Sequence, residues 1–421
     1  MTNRIAKKVY YKIEFELASP LALSSGDNQV SDKDLMKDSK GNPYIPGSAI
    51  AGINRSFFLE RPSIISKYFG ELSEDGKGVK SRIVFYDAVI AGAEKYVISK
   101  RDSVALDAHK TAIKGAKFDM EVLESGVKFV TYIEQNLMQD ETEEIAEEMV
   151  KHWLNQEVYL GAKTMRGYGA IKNVKVYKRA FDLQKAEDVT NWLDADMYRK
   201  EFWADCMAEE QADAENGYTL SLELKQAGGI AIRKYMTNVA ENEKEAVPDY
   251  VQLTVSDGGE IYPVIPGTSW AGAFRHRMLA LVPDMDEKVC FGFSDFETKK
   301  KGKSNIRFSE TKLLGTTEKI YSRNAIDRFT GGTVDGALFT EKTCFGGETT
   351  LVISFEKLPS EDVRIALAAS IADLHYGFLA VGGLTSVGRG CFEVKACNGV
   401  PVTEETIYET VLGIMKSWEG R

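Results

Sequence analysis

An internal repeat constrains this chain of 421 residues more than any other feature. Residues 45–55 read IPGSAIAGINR and residues 265–275 read IPGTSWAGAFR, with six of eleven positions identical and serine exchanged for threonine at a seventh. The glycine-rich residues 161–169 return 221 positions later as residues 382–390. Two further blocks lie between these and keep the same order in both copies. Residues 69–70 and 84–87 correspond to residues 291–292 and 306–309, and residues 106–107 and 115–118 correspond to residues 326–327 and 336–339. Four blocks at nearly one offset indicate a tandem duplication, so the chain must adopt a fold that can form twice.

Each copy shows the same predicted order of strands and helices. In the first copy, strands are predicted at 11–17, 82–91, 127–134 and 170–177, and helices after the Ile-Pro-Gly motif and at 140–153. The corresponding segments of the second copy are 218–224, 269–281, 351–355, 363–377 and 391–395. Ser48 and Thr268 are predicted to be the helix N-caps. The order is that of a ferredoxin-like unit. The predicted fold class is therefore α+β, a tandem duplication of ferredoxin-like (RRM-like) βαββαβ modules.

The repeat boundaries predict three parts of the chain. Residues 1–180 form the first module and residues 217–421 the second. Residues 181–216 form an acidic linker between them. Five apolar residues in this linker predict a docked helix rather than a loose tether: Trp192, Leu193, Met197, Phe202 and Trp203.

The charge is distributed unevenly along the chain. The net charge is −10 and the pI about 5.3, which ordinarily counts against a nucleic-acid ligand. Residues 182–215, however, hold eleven acidic and three basic side chains, and residues 140–148 hold six acidic and none basic. Without these two segments, 46 acidic residues face 50 basic ones. The simplest interpretation of the two segments is a solvated helix face, and the rest of the chain is compatible with an anionic partner.

Cysteine usage and hydropathy predict the compartment. The five cysteines are scattered without a CxxC pair, which favours a reducing compartment and argues against a zinc site or a disulfide framework. No apolar run approaches the roughly 20 residues needed to span a bilayer. The polar N-terminus lacks the features of a signal peptide. We therefore expect a cytoplasmic protein with no membrane partner.

The repeated glycine-rich elements could bind phosphate. A tight turn that leads into a helix presents backbone N–H groups to an anion, and small residues beside a cation and an aromatic suit a nucleic-acid backbone with a stacked base. The candidate residues are Ser48, Arg55, Lys163, Arg166 and Tyr168 in the first copy and Thr268, Arg275, Ser386 and Arg389 in the second. Taken singly, each element is equally an ordinary strand-to-helix turn. Neither is a Walker A loop or a GxGxxG motif, so nucleotide hydrolysis and dinucleotide binding have no support.

These two elements, occurring twice, resemble the RAMP superfamily of CRISPR-associated proteins. The resemblance rests on the Ile-Pro-Gly-[Ser/Thr]-x-x-x-Gly-x-x-Arg motif and on the glycine loop before the last strand, and it spans residues 10–178 and 218–396. Residues 327–332, leading into residues 335–339, also resemble the thumb segment of that family. The likeness is closest to the RNA-binding backbone subunits of type III effector complexes, and two modules on one chain resemble the fused subunits of the III-D kind.

The resemblance implies how such a chain would act. Each module would bind CRISPR guide RNA, and a thumb hairpin (here 104–126 and 323–346) would enter the duplex of guide and target RNA. Base pairing would then read the sequence while the protein supplies geometry and charge. The implied phosphate contacts are Lys110 and Lys114 in the first thumb and Arg323 and Arg328 in the second, and the implied wedges between bases are Phe118 and Phe339. Each of these is equally explained as solvated charge or hairpin core. The implied partners are the guide RNA, a complementary target RNA and other subunits of the complex.

The resemblance also implies a catalytic aspartate that cuts target RNA with Mg²⁺ or another divalent cation. The family's catalytic carboxylate lies about six residues before an aspartate equivalent to Asp38, which indicates Asp32 as the catalytic and metal-binding residue. Asp27 and Asp34 are close enough to be confused with it. In the second copy the candidate is Asp249, although its spacing to Asp257 is two residues longer. The alternative is an exposed loop whose aspartates perform no chemistry.

Three other functions stay open at this point. The first is a structural backbone subunit with the same RNA contacts and no cleavage. The second is a stand-alone metal-dependent endoribonuclease that processes guide precursor RNA; a histidine-based guide-processing nuclease is disfavoured, because no Ser/His/Asp or Cys/His arrangement is readable. The third is a small-molecule enzyme on the same scaffold, because a fold does not determine a function.

Overall fold

The computed structural model describes residues 4–24, 26, 31–72, 78–92, 95–106, 112–210, 217–235, 248–257, 259–294, 298 and 300–420. The chain is a mixed α+β protein with several sheets. It divides into two compact units, one of residues 1–164 with 168–215 and the other of residues 165–167 with 216–421. Among the described residues, no helix combines the length and apolarity required to cross a membrane.

The first unit is built on one antiparallel sheet and a separate hairpin. Its strands are β1 (Lys7–Leu17), β2 (Glu71–Leu72), β3 (Gly78–Val79), β4 (Ile83–Phe85), β5 (Val89–Ile90), β6 (Ile98–Leu106), β7 (Ala112–Leu123), β8 (Lys128–Leu137), β9 (Ile171–Asp182) and β10 (Glu209–Glu210). The sheet has the order β10-β9-β1-β8-β4, with β5 also paired to β8. Strands β6 and β7 form the hairpin, which overlaps the segment 104–126 predicted as the first thumb.

The helices of the first unit lie on both faces of this sheet, with those of the acidic segment on the face opposite the main core. They are α1 (Gly47–Ser56), α2 (Pro62–Ile64), a π-helical turn (Ile65–Phe69), α3 (Glu144–Leu154), α4 (Ala186–Leu193) and a 3-10 turn (Lys200–Trp203); a further 3-10 turn spans Thr164–Arg166. Alternate residues of β1, from Val9 to Leu17, are buried in the core beneath α1 and α3. In that core the indole N–H of Trp153 donates to the Asn54 side chain at 3.1 Å. The apolar residues that alternate along β1 and those on one face of α3 therefore pack in the same core.

The predicted strand at 82–91 is wrong as a single element, because the chain forms two short strands there. Between them, the N–H of Ala88 donates to the carbonyl of Ile45 at 2.8 Å, and the Asp87 carboxylate accepts from the N–H of Gly47 at 2.7 Å. The interruption thus holds the start of α1 against the sheet. The predicted N-caps are also wrong: the caps are Pro46 and Pro266, and Ser48 and Thr268 each follow a glycine that begins the helix.

The second unit repeats the same strand order. Its strands are β11 (Thr219–Ile230), β12 (Arg233–Tyr235), β13 (Tyr250–Gln252), β14 (Thr254–Asp257), β15 (Glu260–Ile265), β16 (Phe293–Ser294), β17 (Lys301–Gly302), β18 (Ile306–Phe308), β19 (Thr311–Lys312), β20 (Thr317–Arg323), β21 (Phe339–Phe355), β22 (Cys391–Cys397) and β23 (Val400–Pro401). Its helices are α5 (Gly267–Leu281), α6 (Glu287–Phe291), α7 (Glu361–His375) and α8 (Ile407–Lys416), with 3-10 turns at Thr385–Val387 and Ser417–Gly420. The run β22-β11-β21-β18 corresponds to β9-β1-β8-β4 of the first unit. Strand β21 is much longer than the predicted 351–355, because its first half pairs with β20 to form the base of the second thumb.

The two glycine loops share one backbone conformation. Positive φ angles occur at residues 161, 163, 167 and 169 and again at residues 382, 384, 388 and 390. At the last position, a Cβ on Gly169 would lie 1.8 Å from the carbonyl oxygen of Leu160, and a Cβ on Gly390 would lie 1.9 Å from that of Val381. Only glycine fits there, because both the φ angle and the neighbouring backbone exclude a side chain.

We expect Gly390→Ala to destabilise the second unit by at least about 2 kcal/mol, because strain at a left-handed position adds to a clash with backbone. Thermal unfolding followed by calorimetry measures this cost. The matched control is Gly52→Ala, which lies within α1 with no atom near the added Cβ and should be neutral or slightly stabilising. Equal melting temperatures for Gly390→Ala and the native chain would contradict the assigned loop geometry.

Candidate nucleic-acid interface

The sheet pairing brings three separate segments of each unit to one edge. Strand β1 pairs antiparallel with both β8 and β9, with Glu16 opposite Lys128 and Leu17 opposite Ile171. The loop that follows β1, the hairpin that precedes β8 and the glycine loop that precedes β9 therefore lie at the same end of the sheet. In the second unit β11 pairs with β21 and β22 in the same way. These converging segments contain most of the residues predicted to bind RNA or to cleave it.

The helix starts are seated tightly against a neighbouring strand. A Cβ on Gly47 would lie 2.3 Å from the carbonyl oxygen of Phe85, and a Cβ on Gly267 would lie 2.3 Å from that of Phe308. The first N–H of α1 already donates to the Asp87 carboxylate. The protein itself thus uses one of the donors that a phosphate would need at this helix start.

The predicted cations on these helices differ between the copies. Ser48 and Arg55 are exposed and are separated by about 10 Å along the axis of α1. Thr268 is half-buried, and Arg275 pairs with Glu287 at 2.5 Å. The positive charge is therefore open to solvent in the first unit and balanced by a carboxylate in the second.

Asp32 is held against the first thumb by a reciprocal pair of hydrogen bonds. The N–H of Asp119 on β7 donates to the Asp32 carboxylate at 2.9 Å, and the N–H of Asp32 donates to the Asp119 carboxylate at 2.8 Å. Lys100 pairs with Asp119 at 2.5 Å. This contact, and then the carboxylates of Asp119, Asp102 and Asp32, raises the pKa of the Lys100 ammonium. Two carboxylates and one ammonium thus cluster beside the hairpin.

Asp34 and Asp38, in the same loop, differ from Asp32 in their hydrogen-bond partners. Asp34 is buried and accepts from the N–H and the hydroxyl of Ser31 at 2.7 and 2.8 Å, which identifies it as a group that shapes the loop. Asp38 accepts from the N–H groups of Lys40 and Asn42, which lowers the pKa of its carboxyl. Asp27 lies outside the described residues. Of the described loop aspartates, Asp32 is the one whose carboxylate contacts the thumb backbone.

Asp249 occupies the equivalent position in the second unit. Its carboxylate accepts from the N–H of Thr340 at 2.7 Å. Thr340 follows Phe339, as Asp119 follows Phe118, and the two pairs are related by the repeat offset of 221. The two loops differ in length, but each places one aspartate against the residue after the predicted wedge.

The two predicted wedges have different surroundings. The ammonium of Lys163 lies 4.4 Å from the ring centre of Phe118, and that of Lys33 lies 5.7 Å from it. Phe339 instead contacts Tyr250, with ring centres 6.2 Å apart. The repeat equivalent of Lys163 is Leu384, which has the same left-handed φ. The first wedge is therefore held between cations, whereas the second is held by an aromatic ring.

Tyr168 and Arg389 occupy equivalent positions beneath the interface. Tyr168 is 5% exposed and packs in an apolar cluster with Met120 and Val122. Arg389 is 4% exposed and donates to Glu341 at 2.5 and 3.2 Å and to Thr343 at 2.8 Å. Arg323 also pairs with Glu341, at 3.0 Å. In this conformation Tyr168 and Arg389 both face the interior, where they support the thumb strand.

The other predicted contacts lie on the surface or outside the described residues. Lys114, Arg166, Arg328 and Ser386 are exposed, and Lys110 is outside the described residues. At the tip of the second thumb, Asp327 accepts from the N–H groups of Phe329 and Thr330 at 2.8 Å, which lowers the pKa of its carboxyl. Phe329 is 97% exposed. Sequence analysis did not identify Phe329, Lys33, Lys100 or Glu341 as site residues. For Phe329, the available signal was its position beside Arg328 in a turn.

A family model described as the RAMP superfamily matches residues 14–172 and 228–393. The match covers well over half of the chain and includes both copies of the repeat. A search of curated proteins gave no match.

We expect Glu341→Gln to destabilise the second unit by about 3 kcal/mol, because it leaves the buried Arg389 guanidinium without its carboxylate. Glu318→Gln, which removes an exposed partner of Lys342, is the matched control and should cost less than about 1 kcal/mol. Calorimetry and denaturant unfolding distinguish the two variants.

The first unit suggests a set of substitutions that should restore the stability of the second unit. The combined variant Glu341→Met, Thr343→Val and Arg389→Tyr reproduces the Met120, Val122 and Tyr168 layer. It should recover most of the stability lost in Glu341→Met alone, since a packed apolar layer can replace a buried ion pair. No recovery would show that the two layers are not equivalent.

Proposed function

Since the chain belongs to the RAMP superfamily, we propose that it is a double-module backbone subunit of a type III CRISPR effector complex, which binds guide RNA and cuts the paired target RNA. Membership of this superfamily indicates a CRISPR-associated, RNA-binding role within a multi-subunit complex. The type III assignment, the cleavage and the ferredoxin-like nature of each module belong to the proposal. The shared strand order of the two units supports the last of these.

One observation carries the proposal of cleavage. In each unit, a loop aspartate accepts a hydrogen bond from the backbone N–H of the residue directly after an aromatic residue of the thumb. A thumb that enters the duplex with Phe118 or Phe339 would bring the displaced target nucleotide beside Asp32 or Asp249. A carboxylate there can orient the 2′-hydroxyl that attacks the scissile phosphate.

The proposed cleavage uses a divalent cation, which side chains at the site would have to bind. Among the described residues, no group of three or more His, Cys, Asp or Glu side chains is arranged to hold a metal ion. Mg²⁺, however, is usually bound by one or two carboxylates together with waters and substrate phosphates. Asp32 and Asp119 would supply such a pair in the first unit, and a bound Mg²⁺ would stabilise the charge that develops on the phosphate. Lys100 holds the Asp119 carboxylate in place.

The second unit is the weaker candidate for cleavage. Its residue equivalent to Asp119 is Thr340, so that Asp249 lacks the adjacent carboxylate found in the first unit. A hydroxyl is a poorer ligand than a carboxylate for a hard cation. We therefore assign the faster cleavage to the first unit and a slower cleavage to the second.

The test is to purify the chain with its native partner subunits, sequence the bound nucleic acid and assay target cleavage with Mg²⁺. We expect bound RNAs of repeat-plus-spacer form. Asp32→Asn should reduce cleavage at one set of positions by at least about 100-fold, on the scale of losing one catalytic group, without loss of bound guide. Asp249→Asn should affect a different and slower set.

The matched control is Asp38→Asn in the same loop, where asparagine can keep the turn that Asp38 forms; its cleavage should be unchanged. Bound guide RNA without any target cleavage would support the non-catalytic backbone subunit. Cleavage of free precursor RNA without a target would support guide processing. Absence of bound repeat-plus-spacer RNA would refute the effector assignment.

The cationic surroundings of Phe118 lead to a separate expectation for RNA affinity. Lys163→Gln should reduce the slope of log affinity against log salt by about 0.7, the amount for one phosphate contact on a single strand. Leu384→Lys, which places the same cation in the second unit, should increase the slope by a similar amount. Fluorescence anisotropy with a guide-length RNA between 50 and 300 mM salt measures both. Lys416→Gln, an exposed lysine on α8, is the control and should leave the slope unchanged.

A further inference from the structure

The second face of the first-unit sheet is aromatic and is covered by the acidic segment. While Tyr11 and its neighbours two residues apart point into the main core, Tyr10 points to the opposite face. There it packs with Tyr132, Phe181, Phe202 and Trp203 in a separate cluster. The indole N–H of Trp192 on α4 donates to the Tyr10 hydroxyl at 2.9 Å. In the second unit the residues of β11 at the corresponding face are polar: Thr219, Ser221, Glu223 and Lys225.

The cover is incomplete. Two cavities of about 250 and 530 Å³ remain between the acidic segment and the sheet, and both are lined by Tyr86 and Tyr198. We call this space the aromatic cleft and define it by Tyr86, Tyr132, Glu134, Trp192, Asp196 and Tyr198. None of these six residues takes part in the interface proposed for RNA.

The rings of the cleft form walls at right angles. Tyr198 lies edge-on to Tyr132, with ring centres 5.2 Å apart and an angle of 79° between the planes, and edge-on to Tyr86 at 6.4 Å and 88°. Tyr198 is 64% exposed, so its ring projects beside an opening rather than filling the core. Perpendicular aromatic walls present several π faces to one small group.

The charge of the cleft is negative. Carboxylates of Asp87, Glu134 and Asp196 line the two cavities, and no lysine or arginine is among the described residues that do so. Burial, followed by the charges of Asp196 and Asp87, raises the pKa of the Tyr198 hydroxyl. The surrounding residues 182–210 contribute nine acidic and three basic side chains. This field attracts cations and repels phosphates.

The protein already places one ammonium at the edge of the cleft. Lys8 pairs with Glu134 at 2.5 Å and lies 5.0 Å from the ring centre of Trp192. Glu134 also accepts from the Tyr86 hydroxyl at 3.0 Å. A cation between a carboxylate and an aromatic face is thus a geometry that this surface supports. Asp196, which pairs with the exposed Arg199 at 3.2 Å, can exchange that partner, because exposed ion pairs of this kind are weak.

We propose that the aromatic cleft binds an arginine side chain from a basic segment of a partner protein. Arginine fits better than lysine because its planar guanidinium stacks on tyrosine and pairs with a carboxylate at the same time. RNA fits poorly because its phosphates would meet three carboxylates. None of the six residues that define the cleft contributes to the proposed RNA interface, so the inference does not rest on the proposed function.

The experiment uses the full chain and three fluorescein-labelled peptides that differ in one residue type: Gly-Arg-Gly-Arg-Gly and its lysine and citrulline counterparts. Anisotropy at 150 mM salt should rank arginine above lysine, and the citrulline peptide should not bind. Tyr198→Ala and Asp196→Asn should each weaken binding of the arginine peptide by about fivefold, the scale of one cation–π contact or one charge pair. Asp194→Asn, the same charge change at an exposed site of the same segment, should change it by less than twofold.

Two controls keep the test decisive. Tyr198→Phe retains the ring and should retain the affinity, and the melting temperatures of all variants should agree because Tyr198 is exposed. Equal binding of the citrulline peptide, or an equal loss in Asp194→Asn, would overturn the proposal in favour of non-specific attraction. Loss of affinity for a single-stranded oligouridine in Tyr198→Ala would overturn it in favour of an RNA-stacking surface.

Discussion

The pairing of each unit's first strand in the middle of its sheet is the constraint on which the rest of the structure depends. Because β1 lies between β8 and β9, the segments that follow or precede these strands meet at one edge, although Asp32 and Asp119, for example, are 87 residues apart in sequence. Strand β11 repeats the arrangement between β21 and β22. A long-range pairing of this kind, rather than any local motif, places a loop aspartate against a thumb strand.

The duplication preserved the backbone and changed the chemistry. Both glycine loops keep their left-handed positions, and both aspartates keep a backbone N–H as partner. Beneath them, Tyr168 packs with Met120 and Val122 under the Arg101 guanidinium in one unit, where the other has an Arg389–Glu341 ion pair. Such exchanges are tolerated because a well-packed apolar layer and a fully paired ionic layer can be similarly stable. The two units can therefore share a fold and differ in function.

Prediction from the sequence succeeded where the signal was periodic or repeated. Membership of the superfamily is confirmed, as is the mixed α+β class, because the motifs and the alternation of β1 are properties of contiguous residues. The helix caps were assigned two residues late, since serine and threonine are usual caps and a proline at that position was not considered. The strand at 82–91 was not recognised as two, because the bonds that divide it come from residues 45 and 47. The domain boundaries and the roles of the site residues remain predictions.

The sequence by itself determined the repeat and the approximate order of the elements. These follow from repetition and periodicity, which a linear sequence carries in full. Only the tertiary structure decided that Asp32 meets Asp119, that Arg389 is buried while Arg55 is exposed, and that Tyr86 and Tyr198 face one cleft. The physical reason is that burial and electrostatic environment depend on which distant segments come together, and that choice is made by packing of the whole unit.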